Sequence, residues 1–197
     1  MAKGYSVDVL YLEYEKAFDT PPHDLMLHKI SSYGISNMLL NWINSFFSKR
    51  TQRVVMASTI SDSLPVTSSV HQGFVLGLLL FILYINDTTD LVSNPMKLYA
   101  DESKVISTNS TPESPTLFQM DINHIVSWTL TWRLRLNYKK CLILHFNKSK
   151  NPNHQYYILT QQGKQLLDSS YSERYRGICI SHNLKWDTNV KIISTKC

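Results

Sequence analysis

The stretch Tyr99-Ala100-Asp101-Glu102 places two adjacent acids between β-forming residues, Met96 to Tyr99 before them and Val105 to Ile106 after them. This pattern predicts a tight hairpin with two carboxylates at its tip. Because neighbouring acids repel each other, a divalent cation at the tip is one explanation for the pair. A turn with two solvated acids is the other, and the stretch alone leaves both open.

A second acid ends an apolar run near the start of the chain. Val7 to Leu12 reads Val-Asp-Val-Leu-Tyr-Leu and is followed by Glu13, which predicts a central strand with a carboxylate at its end. If the strand end and the hairpin converge, their acids can hold one or two metal ions. Two-metal sites of this kind perform in-line phosphoryl transfer.

Composition is that of an ordinary globular domain. The chain has 197 residues, 43% hydrophobic and 18% charged, enough for one domain with a substantial core. It starts without an apolar leader, and its longest apolar run, Phe74 to Ile85, is too short to cross a bilayer. The three cysteines lack metal-ligand spacing. We therefore expect an intracellular protein of the nucleus or cytoplasm, with reduced thiols and no membrane partner.

Positive charge is unevenly distributed along the chain. The net charge is +5, and no acid occurs between Asp121 and Asp168. That interval contains Arg133, Arg135, Lys139, Lys140, Lys148, Lys150 and Lys164. Such a block suits a nucleic-acid backbone, although a solvated basic face has the same composition.

Periodicity and breaker residues predict a mixed α and β chain. The predicted strands and hairpins are Val7–Leu12, Thr51–Ala57 with Ser63–Thr67, Lys97–Ile106, Cys141–Phe146 and short strands from Tyr156 onward. The predicted helices are His23–Tyr33, one capped by Ser36, one from Gln72-Gly73 to about Val92, and a long one after Pro112 to Ser114. This order favours an α+β fold with helices packed on one face of an antiparallel sheet.

Several motifs along the chain resemble, in order, the reverse transcriptase of non-LTR retrotransposons of the LINE type, including jockey-like elements. The first palm motif corresponds to Tyr11 to Asp19 followed by Pro22-His23, and the metal-binding hairpin to Tyr99 to Glu102. The other matching segments are Thr51 to Val55, Ser69 to Gly77, Tyr84 to Asp87, Trp128 to Phe146 and Arg174 to Trp186. They cover nearly the whole chain.

The same resemblance exposes departures at chemically important positions. Glu13 and Glu102 stand where the family usually has Asp, and Ser69, His71, Phe74 and Leu78 replace the usual Gly, Pro, Ser and Pro. The resemblance implies a polymerase palm over residues 1–150 and a truncated palm-to-thumb connection over 151–197. The fingers would be largely absent and the thumb absent or only begun, as expected of a fragment of a larger polyprotein.

Roles follow from the resemblance residue by residue. Glu13 and Asp101 would hold two Mg²⁺ or Mn²⁺ ions, and Glu102 would be the supporting catalytic acid. Phe18 falls where an aromatic gate excludes the ribose 2′-hydroxyl, with a core aromatic as its alternative. Gln72 and Gly73 would contact the incoming nucleotide and the template, or form a simple turn.

The basic residues also receive roles. Lys139 or Lys140 would donate a proton to pyrophosphate, contact phosphate, or be solvated, and Lys140 is assigned to substrate binding. Arg133, Arg135 and Lys139 are assigned to nucleic acid. The predicted reaction is RNA-directed DNA synthesis from deoxynucleoside triphosphates on an RNA template and DNA primer, with activity weakened or lost. The alternatives are a non-catalytic basic nucleic-acid-binding module and an inert retroelement relic.

Overall fold

The computed structural model describes residues 5–70, 75–146, 154–160, 162–175 and 177–195. In chain order its strands are β1 Ser6–Glu13, β2 Thr51–Gln52, β3 Val55–Met56, β4 Thr59–Ile60, β5 Leu64–Pro65, β6 Met96–Tyr99, β7 Glu102–Asn109, β8 Leu142–Phe146, β9 Tyr157–Thr160, β10 Gly163–Leu166, β11 Asp168–Ser170, β12 Ser172–Tyr175 and β13 Ile178–Ser181. Its helices are α1 His23–Ser32, α2 Asn37–Phe47, α3 Val75–Ile85, α4 Ser114–Thr131 and α5 Asp187–Ser194, and a 3-10 helix covers Asn86–Leu91.

A five-stranded sheet in the order β11-β8-β1-β7-β6 organises the part of the chain that carries both acidic segments. Every pairing in it is antiparallel except the parallel pairing of the short β11 with β8. The strand β1 lies at the centre, between β7 and β8, as its nearly continuous apolar sequence predicts. The mixed α+β class and the antiparallel sheet are thereby confirmed.

The two faces of this sheet differ because side chains alternate along each strand. On one face, Val9, Leu144 and Phe146 form a buried cluster, against which Ile106 of β7 and Ile180 of β13 pack. The opposite face carries Asp8, Leu10 and Leu12 of β1 and, one residue past its end, Tyr14, all of them buried. Glu13 lies on the same face as Val9, so the acid at the strand end and the buried acid Asp8 point in opposite directions.

A buried polar network crosses the sheet at Asp8, which is fully shielded from solvent. Its carboxylate oxygens lie 2.7 Å from His145 Nδ1, 2.7 Å from the Tyr156 hydroxyl and 2.9 Å from Asn109 Nδ2. His145 Nε2 is in turn 3.1 Å from the Ser169 hydroxyl. Three donors therefore compensate the buried charge and join β1 to β7, β8 and β11.

The contacts divide the chain into two compact units, and the sheet belongs to the unit formed by residues 1–14, 88–128 and 136–197. The other unit comprises residues 15–87 and 129–135. Within it, the buried Lys29 of α1 pairs bidentately with Asp87 at 2.6 Å and lies 3.4 Å from the centroid of the Trp132 ring. The proposed division at residue 150 remains a prediction.

Most predicted elements are present, with shifted ends. The hairpin from Thr51 is two separate short ladders, since β2 pairs with β5 and β3 pairs with β4. The helix expected from Gln72-Gly73 becomes α3 and the 3-10 helix, and its expected start lies outside the described residues. The helix α5 was not predicted, because we expected only strands and turns near the end.

Candidate active site

The strand end and the hairpin meet through backbone pairing. Glu13, the last residue of β1, lies directly opposite Glu102, the first residue of β7. Directly opposed residues of antiparallel strands project to the same face, so these two side chains are neighbours. Tyr14 N lies 3.4 Å from the carbonyl oxygen of Asp101, which keeps the turn beside the strand end. Two segments almost 90 residues apart thus bring their acids together.

The turn itself differs in detail from the predicted tip. Tyr99 pairs with Glu102, so Ala100 and Asp101 form a two-residue connection, and only Asp101 of the two acids lies in it. Ala100 has a φ of +50°, in the left-handed region that two-residue hairpin turns use. Glu102 already belongs to the strand, which fixes its direction more firmly than a position in the turn would.

A cation is present at this site in the form of Lys140. Its ammonium group donates a hydrogen bond to Glu13 Oε1, and the two side chains are 58% and 33% exposed. The hydrogen bond and the charge of Glu13 raise the pKa of Lys140, and the charge of Asp101 raises it further. Lys140 therefore lies within the electrostatic reach of two of the three predicted acids.

A short turn holds Lys140 at the end of β1. The amide of Asn137 donates to the carbonyl of Glu13 at 2.8 Å, and the amide of Lys140 donates to the carbonyl of Asn137 at 2.9 Å. The turn from Asn137 to Lys140, which belongs to the family-like segment from Trp128 to Phe146, is thus attached to the strand end by backbone bonds. These bonds fix the Lys140 backbone, while its long side chain makes the contact with Glu13.

The Glu102 carboxylate has an unsatisfied oxygen. Glu102 Oε2 is buried and has no hydrogen-bond partner within the described residues. A buried carboxylate oxygen without a donor is unfavourable, and a bound cation is one way to compensate it. The orphaned oxygen lies on the residue directly across from Glu13, where the sequence predicts a metal.

A further acid, Glu173 of β12, was not among the predicted site residues. Burial raises the pKa of Glu173, and the negative charges of Glu102 and Glu13 raise it further, while a backbone hydrogen bond and Lys104 act in the opposite direction. The β12–β13 hairpin thus brings another carboxylate into electrostatic range of the strand end. Glu173 adjoins the family-like segment at Arg174, but no local spacing connects it with Glu13.

The donor set fits a divalent metal only as a partial coordination shell. The described part of the chain contains no group of three or more His, Cys, Asp or Glu side chains arranged to hold a metal ion. Mg²⁺, however, is commonly bound by one or two carboxylates and completes its shell with water and substrate phosphates. Glu13 opposite Glu102, with an unsatisfied oxygen on the latter, is such a set.

The remaining predicted residues fall in several places. Phe18 is half-buried and packs against Phe81 with ring centroids 4.6 Å apart, inside the unit that contains α1 to α3. Gln72 and Gly73 lie outside the described residues. Arg133 and Arg135 are exposed in the same unit as Phe18, whereas Lys139 is exposed beside Lys140 in the sheet-containing unit.

Comparison with known sequences defines the class of protein. The family described as "Reverse transcriptase (RNA-dependent DNA polymerase)" matches residues 3–192. Because this match covers nearly the whole chain, the chain belongs to the reverse transcriptase family. The expected resemblance is therefore confirmed.

The particular relatives are polymerases of mobile elements. The chain is 26% identical over 153 residues to the RNA-directed DNA polymerase from mobile element jockey of Drosophila melanogaster, which covers 73% of this chain and 16% of the relative. The Drosophila funebris protein of the same name is 24% identical over 191 residues, and the match covers 91% of this chain and 20% of that relative. The Pol polyprotein of the R2 element of Popillia japonica is 26% identical over 85 residues, or 43% of this chain and 14% of the relative. These matches support a reverse transcriptase domain of LINE-type elements, and the chain spans a fifth or less of each relative.

Solved structures confirm the fold. The apo telomerase of Candida tropicalis aligns with a TM-score of 0.61 at 13% identity, over 91% of this chain and 35% of that one. The same telomerase in complex with a fragment of telomeric RNA aligns with a TM-score of 0.63 at 13% identity. That alignment covers 93% of this chain and 30% of the telomerase chain. The chain therefore has a polymerase palm-like fold. Within the described residues no helix is long and apolar enough to cross a membrane.

Proposed function

We propose that this chain is the palm of an RNA-directed DNA polymerase, which adds deoxynucleotides to the 3′ end of a DNA primer on an RNA template. The observation that carries the proposal is the pairing of Glu13 with Glu102, with Asp101 in the adjoining turn. Polymerases of mobile elements among the relatives support this reaction.

In the proposed site, Glu13 and Asp101 are the metal ligands and Glu102 is the supporting acid. Reverse transcriptases generally use divalent metals, and we expect two Mg²⁺ or Mn²⁺ ions here. When bound, such ions activate the primer hydroxyl and stabilise charge on the leaving pyrophosphate. The residues of this chain supply the fixed carboxylates, and the strand pairing sets the distance between Glu13 and Glu102.

The substrate contacts are assigned to residues on several segments. Phe18 presents a ring against the 2′ position of the incoming sugar, so that deoxyribose is accepted and ribose is not. The alternative for Phe18 is a core aromatic, to which its contact with the buried Phe81 also corresponds. Gln72 and Gly73 contact the nucleotide and template, and Lys140 contacts the phosphates.

Activity in this chain is expected to be low, because one proposed metal ligand, Glu13, and the supporting acid, Glu102, are Glu where the family usually has Asp. Each Glu has the charge of Asp but one methylene more, so its carboxylate moves by roughly the length of a bond. A displacement of about 1 Å in a catalytic group can cost on the order of 10²-fold in rate. The strand pairing fixes both backbones, so it cannot easily absorb the longer side chains.

Primer extension on an RNA template with Mg²⁺ or Mn²⁺ tests the proposal. The double variant Glu13→Asp and Glu102→Asp should extend the primer faster than the original chain, because both carboxylates return to the shorter arm. Adding Asp101→Asn to the double variant is the matched control and should abolish extension. Extension that is equally fast before and after the double substitution would refute the role of the lengthened acids.

A second candidate function is a non-catalytic nucleic-acid-binding module, which the exposure of four basic residues favours. Arg133, Arg135, Lys139 and Lys140 are all exposed, and no acid in sequence interrupts them. Replacing all four with Ala should weaken binding to every sequence about equally. Each lost phosphate contact should also reduce the slope of log affinity against log salt by about one.

The control for this binding assay removes the same number of charges elsewhere. It replaces four other exposed basic residues with Ala: Lys16, Lys49, Arg53 and Lys97. This control should change affinity and salt slope less than the first variant does. Equal effects of the two variants would mean that net charge, rather than the basic stretch, governs binding.

A further inference from the structure

We propose that Lys140 is a tethered counter-ion of Glu13, which a divalent metal has to displace from the carboxylate before the site can load. This inference rests on the proposed function, because the metal is the one assigned to that site. It adds a competition between the metal and a side chain of the same molecule. The competition makes metal loading depend on a residue that is not itself a metal ligand.

The arrangement of charges supports this competition. Glu13 and Glu102 lie directly opposite each other at the strand end, and Asp101 lies in the adjoining turn. Repulsion between neighbouring carboxylates is unfavourable unless a cation compensates it. Lys140 supplies a cation to Glu13 and lies within the electrostatic reach of Asp101. It leaves Glu102 Oε2 without a partner among the described residues. The lysine therefore compensates these acids only partly, and a doubly charged ion held by Glu13 and Asp101, with Glu102 as the supporting acid, would compensate them more fully.

The ion pair between Lys140 and Glu13 is exposed enough for a metal ion to replace the ammonium group. With side chains 58% and 33% exposed, both partners remain accessible to water and salt. Exposed lysine–carboxylate pairs are screened and weak, so a divalent ion can replace the ammonium at modest cost. The Lys29–Asp87 pair would not exchange in this way, because its lysine is 2% exposed and removing the carboxylate would leave a buried ammonium without its counter-ion.

Displacement requires no change of the backbone. Hydrogen bonds from Asn137 to Glu13 and from Lys140 to Asn137 attach the turn to the strand end. The ammonium group is carried on a flexible four-carbon stem and can move away while the turn stays in place. Lys140 is thus positioned to leave Glu13 when a metal binds and to return when the metal dissociates.

Mn²⁺ binding to the full chain, measured by electron paramagnetic resonance, tests this exchange. Lys140→Met should bind Mn²⁺ about two- to fivefold more tightly, which is the range expected for loss of an exposed ion pair. Lys139→Met is the matched control, since it removes the same charge one residue away and should have less than half of that effect on affinity. Asp101→Asn should weaken binding and thereby assign the signal to this site.

Lysine acylation followed by mass spectrometry provides a direct second readout. Saturating Mg²⁺ should increase the labelling rate of Lys140 in the original chain and leave that of Lys139 unchanged, because only Lys140 is released from a carboxylate. Equal Mn²⁺ affinities for the Lys140 and Lys139 variants, with no change in Lys140 labelling, would overturn the counter-ion alone. A chain that binds no Mn²⁺ at all would overturn both this inference and the metal site of the proposed function.

Discussion

Two carboxylates of the strand β1 occupy opposite kinds of environment. Asp8 is fully buried, and its oxygens accept hydrogen bonds from His145, Tyr156 and Asn109. Glu13, five residues later and on the other face, is one-third exposed and is compensated by Lys140. The same strand therefore carries one acid that stabilises the fold and one acid that is open to exchange its partner.

The difference shows how to separate structural from functional acids in this sheet. A structural carboxylate has several donors held by neighbouring strands, so no ligand can approach it. A functional carboxylate keeps accessible oxygen atoms and a replaceable partner. Glu102 differs from Asp8 in another way, because its buried Oε2 lacks a donor among the described residues.

The largest expected effect is on the free energy of unfolding after substitution of Asp8. Asp8→Asn replaces a carboxylate oxygen with an amide group that cannot accept the existing hydrogen bonds, so unfolding should become easier by on the order of 3 kcal/mol. Glu13→Gln is the matched control on the same strand and should change stability by less than about 0.5 kcal/mol. Urea unfolding followed by circular dichroism measures both.

Equal losses of stability for Asp8→Asn and Glu13→Gln would mean that Glu13 is as structural as Asp8. The contrast between the two faces of β1 would then have no functional meaning.

A smaller effect on the free energy of unfolding is expected at alkaline pH, from Tyr14, the residue after Glu13, and from the thiol of Cys141. Burial raises the pKa of Tyr14 to about 12 and that of Cys141 to about 11. The unfolded chain loses these protons at their ordinary pKa values, whereas the folded chain keeps them. The stability that these two groups contribute is therefore fully present below about pH 9. It is lost as the pH rises toward their raised pKa values, by on the order of 2 kcal/mol per group.

Urea unfolding at a series of pH values tests this decline. Cys141→Val should remove the part that begins near the ordinary thiol pKa, and Tyr14→Phe the part that begins near pH 10. A decline that both variants retain in full would show that neither group is responsible.

Much of the fold and the outline of the site could be predicted because their signals are local. The run ending at Glu13 and the acidic hairpin each follow strand periodicity, and their pairing agrees with the predicted convergence. Asp8 was overlooked inside an apolar run, since its partners His145 and Tyr156 lie 137 and 148 residues further along the chain. Only the folded sheet brings these groups together.

The same limitation explains the other omissions. Glu173 approaches the site through a hairpin whose packing on the sheet has no local sequence signal. The left-handed conformation of Ala100 is imposed by the two-residue turn rather than favoured by alanine itself. Lys140 was predicted to contact phosphate, but its pairing with Glu13 depends on the turn from Asn137 to Cys141.

Primer extension by variants at the strand end is the most direct test of the account. On an RNA template with Mg²⁺, the Glu13→Asp and Glu102→Asp double variant should be faster than the original chain by on the order of 10²-fold. Asp101→Asn in that background should remove the activity, while Asp8→Asn should lower it only as far as it lowers the folded fraction. Undiminished extension after Asp101→Asn would contradict the assignment of this strand end as the catalytic site, whereas no gain from the double substitution would contradict only the role of the lengthened acids.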